Sequence, residues 1–203
     1  IGGETLITPG FKKILEKLIN ANLNRNLTIG ITTNLTVWQE DIYELLQQFN
    51  LHIGLSVECL HPVNEYVRYG GNYGETLELL DKWVEKSKQH GWTASVRTTP
   101  TLLSILHLDT VYDYCFKNKV FVESCNFLNE PKFLRPSVLP APYRKQVLER
   151  ISSWLERQSP NCNDSKIINI RNKSTVDQQI IEDFISYKNY LENDSISFYK
   201  GDA

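Results

Sequence analysis

Methionine is absent from all 203 residues and position 1 is Ile, so the chain contains no initiator residue. It therefore reads as a processed product or a fragment. The opening Ile1-Gly2-Gly3-Glu4 resembles the end of a strand entering a glycine turn, with preceding core strands expected upstream. No apolar run approaches the ~18 residues needed to span a bilayer, and the N-terminus has neither a basic region nor a signal-type apolar core. The expectation is a cytoplasmic chain with no membrane partner. Positive charge is not in excess either: the formal net charge is −2 and the pI about 6.1, without the overall basic footprint of a nucleic-acid binder. The four cysteines, Cys59, Cys115, Cys125 and Cys162, form no C-x-x-C pair, which argues against a zinc ribbon or a thioredoxin-like motif. They read as free, partly buried thiols, and no metal ligand is assigned.

What is present is an ordinary globular composition, 41% hydrophobic and 23% charged, enough for one large domain or one domain with an appendage. After Thr8-Pro9-Gly10, the spacing of Phe11, Ile14, Leu15, Leu18 and Ile19 predicts an amphipathic helix. The β-rich run 27–33 predicts a buried strand, Ile42, Leu45, Leu46 and Phe49 a second helix, and residues 52–57 a second strand. A helix over 75–89, a strand over 93–98, a helix carrying Leu108, Val111, Tyr112, Cys115 and Phe116, and a strand at 120–122 continue the alternation. Such β/α alternation predicts a parallel sheet with right-handed crossovers, either a partial barrel or an open α/β sheet. Beyond Asn129, Pro131, Pro136, Pro140 and Pro142 punctuate a loop. A helix bearing Val147, Leu148, Ile151, Trp154 and Leu155 then precedes a polar linker at 159–164. Ser174 is placed to cap a last helix with Val176, Ile180, Phe184 and Leu191. The division expected is residues 1–129 as the β/α core and 130–203 as a C-terminal helical extension.

Parallel α/β architectures bind ligands at the carboxyl ends of their strands. Those positions are polar at nearly every exit: Gly2-Gly3-Glu4, Thr33-Asn34, Ser56 with Glu58, Thr98-Thr99 and Asn126. Two adjacent glycines allow close approach to the main chain, and Glu4 can accept from an ammonium group; the same residues also suit a tight turn with a solvated carboxylate. Thr33 and Asn34 orient a polar ligand without charge, or end a strand before Thr36 caps the next helix. Ser56 and Glu58 leave an extended backbone on one face, a pairing that suits a ribose diol or simply a satisfied strand end. In the tyrosine-rich segment 64–73, Arg68 can fork onto a ligand carboxylate or pair with Glu65 on the same helical turn.

In order, Gly-Gly-Glu, Thr-Thr-Asn, Ser-x-Glu and Asn-Glu-Tyr-x-Arg-Tyr-Gly, set on consecutive β/α units, resemble the radical S-adenosylmethionine (SAM) enzymes, and within them the twitch-domain branch, over residues 1–157. The stretch 183–191 fits that branch more loosely. The resemblance implies a partial (β/α)6 barrel of the radical SAM type, lacking its first β/α unit, with C-terminal helices. It implies that Gly2, Gly3 and Glu4 hold the SAM ammonium, that Thr33, Asn34, Ser56 and Glu58 line the cofactor site with Ser56 and Glu58 facing the ribose, and that Arg68 reaches the methionyl carboxylate. A 4Fe–4S cluster would reduce SAM to give a 5′-deoxyadenosyl radical that abstracts hydrogen from a small-molecule or peptide substrate, with flavodoxin or ferredoxin as reductant. The departures are plain: the C-x3-C-x2-C cluster motif is absent, so this chain does not ligate the cluster. Thr5 stands where Pro is usual, Leu35 where a Gly follows Thr-Asn, and Glu58 where Asp is commoner. Catalytic residues are left unassigned. The competing expectation is a cluster-free, non-catalytic relative that binds a nucleotide-like ligand or a peptide partner. A third reading is an unrelated α/β domain whose polar strand ends share no pocket.

Overall fold

The computed structural model describes residues 4–124, 128, 130–158 and 174–198, the side chains of 194–198 excepted. Apolar residues three and four apart form α1 (Phe11–Asn20), α2 (Glu40–Leu46), α4 (Tyr73–His90) and α5 (Leu108–Asn118). Between them lie β1 (Thr28–Thr33), β2 (Asn50–Ser56), β3 (Thr93–Arg97) and β4 (Phe121–Glu123), a short helix α3 (Val63–Val67) and several 3-10 turns. The helix ends follow local chemistry. Gly10 precedes α1 with φ +90°, the Asn72 side chain accepts from the Glu75 amide at the start of α4, and Gly91 closes that helix with φ +67°.

The strands form one four-stranded sheet in the order β1-β2-β3-β4, and every neighbouring pair is parallel. Sequential parallel order with crossovers of one hand carries the connecting helices to the same face. On that face Ile31, Leu51, Ile53, Leu55, Val96 and Val122 are buried against Leu15, Ile42, Leu46, Leu80, Trp83, Val84 and Val111. The alternate residues point the other way and are polar or lack a side chain: Thr28, Gly30 and Thr32 on β1, Asn50, His52 and Gly54 on β2, Thr93, Ser95 and Arg97 on β3. The fold is thus α/β, with a sheet clad on one side and polar on the other.

Past β4 the chain runs through two 3-10 turns (Lys132–Leu134 and Pro136–Val138) into α6 (Ala141–Gln158), earlier than the sequence suggested. Helix α7 (Thr175–Phe198) follows, with the Ser174 hydroxyl capping it by accepting from the Asp177 amide at 3.2 Å. Val147, Ile151, Trp154, Ile180, Phe184 and Leu191 belong to the same continuous core as the sheet, so the C-terminal helices are built into the fold.

Helix α7 does what a fifth strand would otherwise do. The Val122 amide donates to Gln179 Oε1 at 3.1 Å, and Gln179 Nε2 donates back to the Val122 carbonyl, so one side-chain amide pairs with both main-chain groups of the β4 edge. One turn on, Asp183 accepts from the Ser124 amide at 3.3 Å, the Ser124 hydroxyl and the Tyr112 hydroxyl. Burial, followed by the Asp183 charge, holds the Tyr112 phenol well above its ordinary pKa, so it remains a donor. Its ring stacks on Phe184 with centroids 3.6 Å apart. Replacing Gln179 by Leu strands both main-chain groups of Val122, and the expected cost is about 1–3 kcal/mol. Urea unfolding measures it; a midpoint equal to wild type would mean that the β4 edge needs no such partner.

Candidate functional site

The polar residues after the strands converge at one end of the sheet, and carboxylates hold them there. Glu4 is only 6% exposed. Its Oε1 accepts from the Leu6 amide at 3.1 Å, and its Oε2 accepts from the Thr33 hydroxyl at 3.0 Å and the Asn34 amide at 2.7 Å. The Thr5 hydroxyl donates to the Thr32 carbonyl at 2.8 Å beside it. Residues about thirty apart are therefore joined directly, and the first two sequence motifs share one knot. Gly2 and Gly3 lie outside the described residues.

Asn34 turns its side chain back on its own loop, where Oδ1 accepts from the Thr36 amide at 3.1 Å and the Thr36 hydroxyl at 2.6 Å. Thr36 therefore closes an Asx-type turn, while Gln39 precedes α2. Leu35 follows with φ +60°, the left-handed conformation that a glycine takes without strain. The conformation costs a Cβ-bearing residue about 1–2 kcal/mol. Leu35 recovers that by complete burial of its side chain and by donating its amide to the Thr33 hydroxyl at 3.1 Å. The turn thus keeps the backbone that a Gly would give it.

The second knot joins β2 and β3. Glu58 Oε1 accepts from Arg68 Nη2 at 2.7 Å, and its Oε2 accepts from the Thr99 amide at 2.8 Å. The Thr98 hydroxyl donates to the Glu58 carbonyl at 3.1 Å, and the Glu58 amide donates to Asn64 Oδ1 at 3.1 Å. Arg68 therefore pairs with Glu58, ten residues earlier, whereas the Glu65 considered from sequence accepts from the Tyr73 amide at 2.7 Å. Arg68 Nε is buried and makes no hydrogen bond. The Ser56 hydroxyl, half-buried at the end of β2, is bonded to no described residue and faces the rim free. Tyr66 and Tyr69 project into solvent, Tyr69 completely. Asn126 lies outside the described residues.

Three features escaped the residue-by-residue reading of the sequence. Arg97 reaches from β3 across β2 to β1: its Nη1 donates to the Thr32 hydroxyl at 3.0 Å, and its Nε donates to Glu123 on β4 at 2.9 Å. A Cβ on Gly54 would lie 2.8 Å from Arg97 Cδ and Nε, so that glycine clears the path. The signal was available in the period-two polar positions of the strands, which a parallel sheet covered on both faces does not show. The second is the Asp183 cluster, with members 59 and 71 positions from it in sequence. The third is a stack of His61 on His107, centroids 3.6 Å apart, joining the loop after β2 to the turn before α5. Burial, then the neighbouring His61, depresses the His107 pKa. Neither pairing leaves a mark at a fixed spacing.

Among the described residues no group of three or more His, Cys, Asp or Glu side chains is placed to hold a metal ion. Cys59 and Cys115 are buried and unpaired; burial pushes the Cys59 thiol up to about 11 and the Cys115 thiol higher still. Cys125 and Cys162 lie outside the described residues. No helix among them is long and apolar enough to cross a membrane.

No family model matches the chain. A protein from Methanothermobacter thermautotrophicus described as uncharacterized is 27% identical to it over 160 residues, a match covering 76% of this chain and 60% of that protein. The chain thus spans less than two thirds of that relative.

The Glu4 knot is open to direct measurement. Glu4→Ala leaves two amides and a hydroxyl without their acceptor, and the expected loss of stability is about 3 kcal/mol, at 1–3 kcal/mol for each buried group stranded. Glu4→Gln keeps an acceptor oxygen and should lose less. Denaturant unfolding of both variants checks the order; equal losses would contradict it.

Proposed function

We propose that this chain is the SAM-binding part of a radical SAM enzyme, folded as part of a (β/α)6 barrel with C-terminal helices. The observation that carries the reading is the direct bonding of Glu4 to Thr33 and Asn34, which joins two ordered motifs at the same end of the sheet as the Ser56, Glu58 and Arg68 group. The sequential all-parallel strand order and one-sided cladding support it as well, since a barrel is built that way and a doubly wound sheet is not.

The residues fit SAM in part, and their bonding assigns them different roles. Both oxygens of Glu4 and both of Glu58 are engaged by the chain's own donors, so these carboxylates are positioning residues that fix the strand exits. The free Ser56 hydroxyl supplies a donor and an acceptor for a ribose, and Arg68, anchored through Nη2, retains further donors for a carboxylate. Bound SAM would supply hydrogen-atom abstraction once reduced by one electron. The described residues do not fit the iron–sulfur cluster that delivers the electron. Their two cysteines are buried on separate elements, and raised thiol pKa values oppose the thiolate that iron requires. In this reading the cluster ligands lie outside the described residues, and the substrate is a peptide or protein side chain.

That mismatch favours one alternative, a cluster-free relative that binds a nucleotide-like ligand and performs no redox step. Titration calorimetry of the 203-residue chain with SAM tests what the two readings share. Binding is expected, with Ser56→Ala weakening it several-fold, about 1 kcal/mol; heat-silent mixing, or an affinity indifferent to Ser56→Ala, would contradict both. Anaerobic iron–sulfur reconstitution of the full gene product, followed by SAM and dithionite, separates them. Release of 5′-deoxyadenosine is the enzyme's outcome; a colourless protein without product is the binder's.

A further inference from the structure

The uncovered face of the sheet holds a hollow of about 270 Å³ lined by His52, Ser95, Arg97, Phe121, Glu123 and Gln179. A parallel sheet is normally covered on both faces, so polar side chains standing along this one call for an occupant. Ser95 points to one directly. It is only 7% exposed, lines the hollow, and its hydroxyl bonds to no described residue. A hydroxyl so enclosed is usually satisfied, by protein or by something bound. Gly30 is a second sign. It sits on the same face of β1, and a Cβ there would meet nothing within 4 Å, so nothing in the described fold requires a glycine. Glycine inside a strand weakens it, and its use marks close approach by another molecule.

The lining also states what kind of molecule. Arg97 and Glu123 are paired at 2.9 Å with side chains 42% and 46% exposed, so the charges cancel while unused donors and acceptors on both face the hollow. The Gln179 amide is committed to Val122 and serves as a wall. What remains is a neutral fork of donors and acceptors, the Ser95 hydroxyl, the His52 imidazole and one aromatic ring, Phe121. A net-neutral set of this kind offers no excess charge to a phosphate or a cation. It matches a neutral ring dense in hydroxyl groups, which takes paired hydrogen bonds at its edge and apolar contact on its face. The volume is below that of pockets for drug-sized ligands and suits one ring.

We infer that the uncovered face of the sheet, centred on Ser95 and the Arg97–Glu123 pair, is a binding site for a neutral polyhydroxylated ring of monosaccharide size. The site stands apart from the strand-exit rim and does not depend on SAM binding there. Gly54 is part of its construction, because a side chain at that position displaces Arg97 from its path between Thr32 and Glu123.

Saturation-transfer NMR on the 203-residue chain, with D-glucose, D-ribose and myo-inositol as probes and acetate and inorganic phosphate as charged controls, tests this without SAM or iron. At least one polyol should receive saturation, the charged controls none, and Ser95→Ala and Gly54→Ala should each cut the polyol signal at least tenfold. Amide spectra of both variants verify that they fold. Gly30→Val, which fills open space and removes no bond, should reduce the signal even if Gly54→Ala unfolds. The proposal is overturned if no polyol is saturated, if the charged controls displace the polyols, or if folded variants bind as wild type does. Such a failure leaves SAM titration at the rim untouched, so the two readings fail separately.

Discussion

A carboxylate removed from water needs donors, and here the donors are main-chain amides at the ends of strands. Glu4 and Glu58 are each enclosed, and each accepts from an amide on a neighbouring strand exit: Asn34 after β1 for Glu4, Thr99 after β3 for Glu58. Charge-assisted bonds of this kind are among the stronger ones a protein makes, and the alternative, an unpaired buried charge, is costly. The geometry of the rim follows. The turn after Thr33 is fixed, Leu35 is held in a left-handed conformation, Arg68 is drawn to Glu58, and the Ser56 hydroxyl is left free between the two knots.

A second constraint comes from the edges and faces of the sheet. A parallel sheet with one polar face and open edges is exposed to unwanted pairing. At β4 the difficulty is resolved by α7, whose Gln179 and Asp183 satisfy the edge as a strand would. On the polar face it is resolved across the strands, where Arg97 links β1, β3 and β4 above Gly54. The helical C-terminal part is thus tied to the β/α part by hydrogen bonds as well as by the shared core, and the rim and the polar face are presented by a sheet with a satisfied boundary at β4.

Much of this was legible in the sequence because it obeys a period. The apolar spacing of Phe11 to Ile19, of Leu77 to Val84 and of Leu108 to Phe116 marks three helices, and the short β-branched runs mark the strands to within one or two residues. The polar exits are legible for the same reason, since a strand end is found once the strand is found. What resisted reading was any relation without a fixed spacing. Arg68 has Glu65 within a helical turn, yet binds Glu58 because α3 is short and ends at Val67. Leu35 breaks the expected glycine, and only the burial of its side chain explains why the turn survives. Arg97 and Ser95 look like ordinary strand residues until the whole face is assembled. Asp183 finds Tyr112 and Ser124 only through the docking of α7.

If the buried carboxylates organise the rim, the amides they hold must be closed to solvent although they lie in loops. Hydrogen–deuterium exchange read at single amides therefore tests the account most directly, with Asn34 and Thr99 as the reporters. Both should exchange as slowly as Leu55 and Val96 in the central strands, and Asn34 alone should speed up in Glu4→Ala. Exchange of Asn34 and Thr99 at the rate of exposed loop amides in the wild-type chain would contradict it.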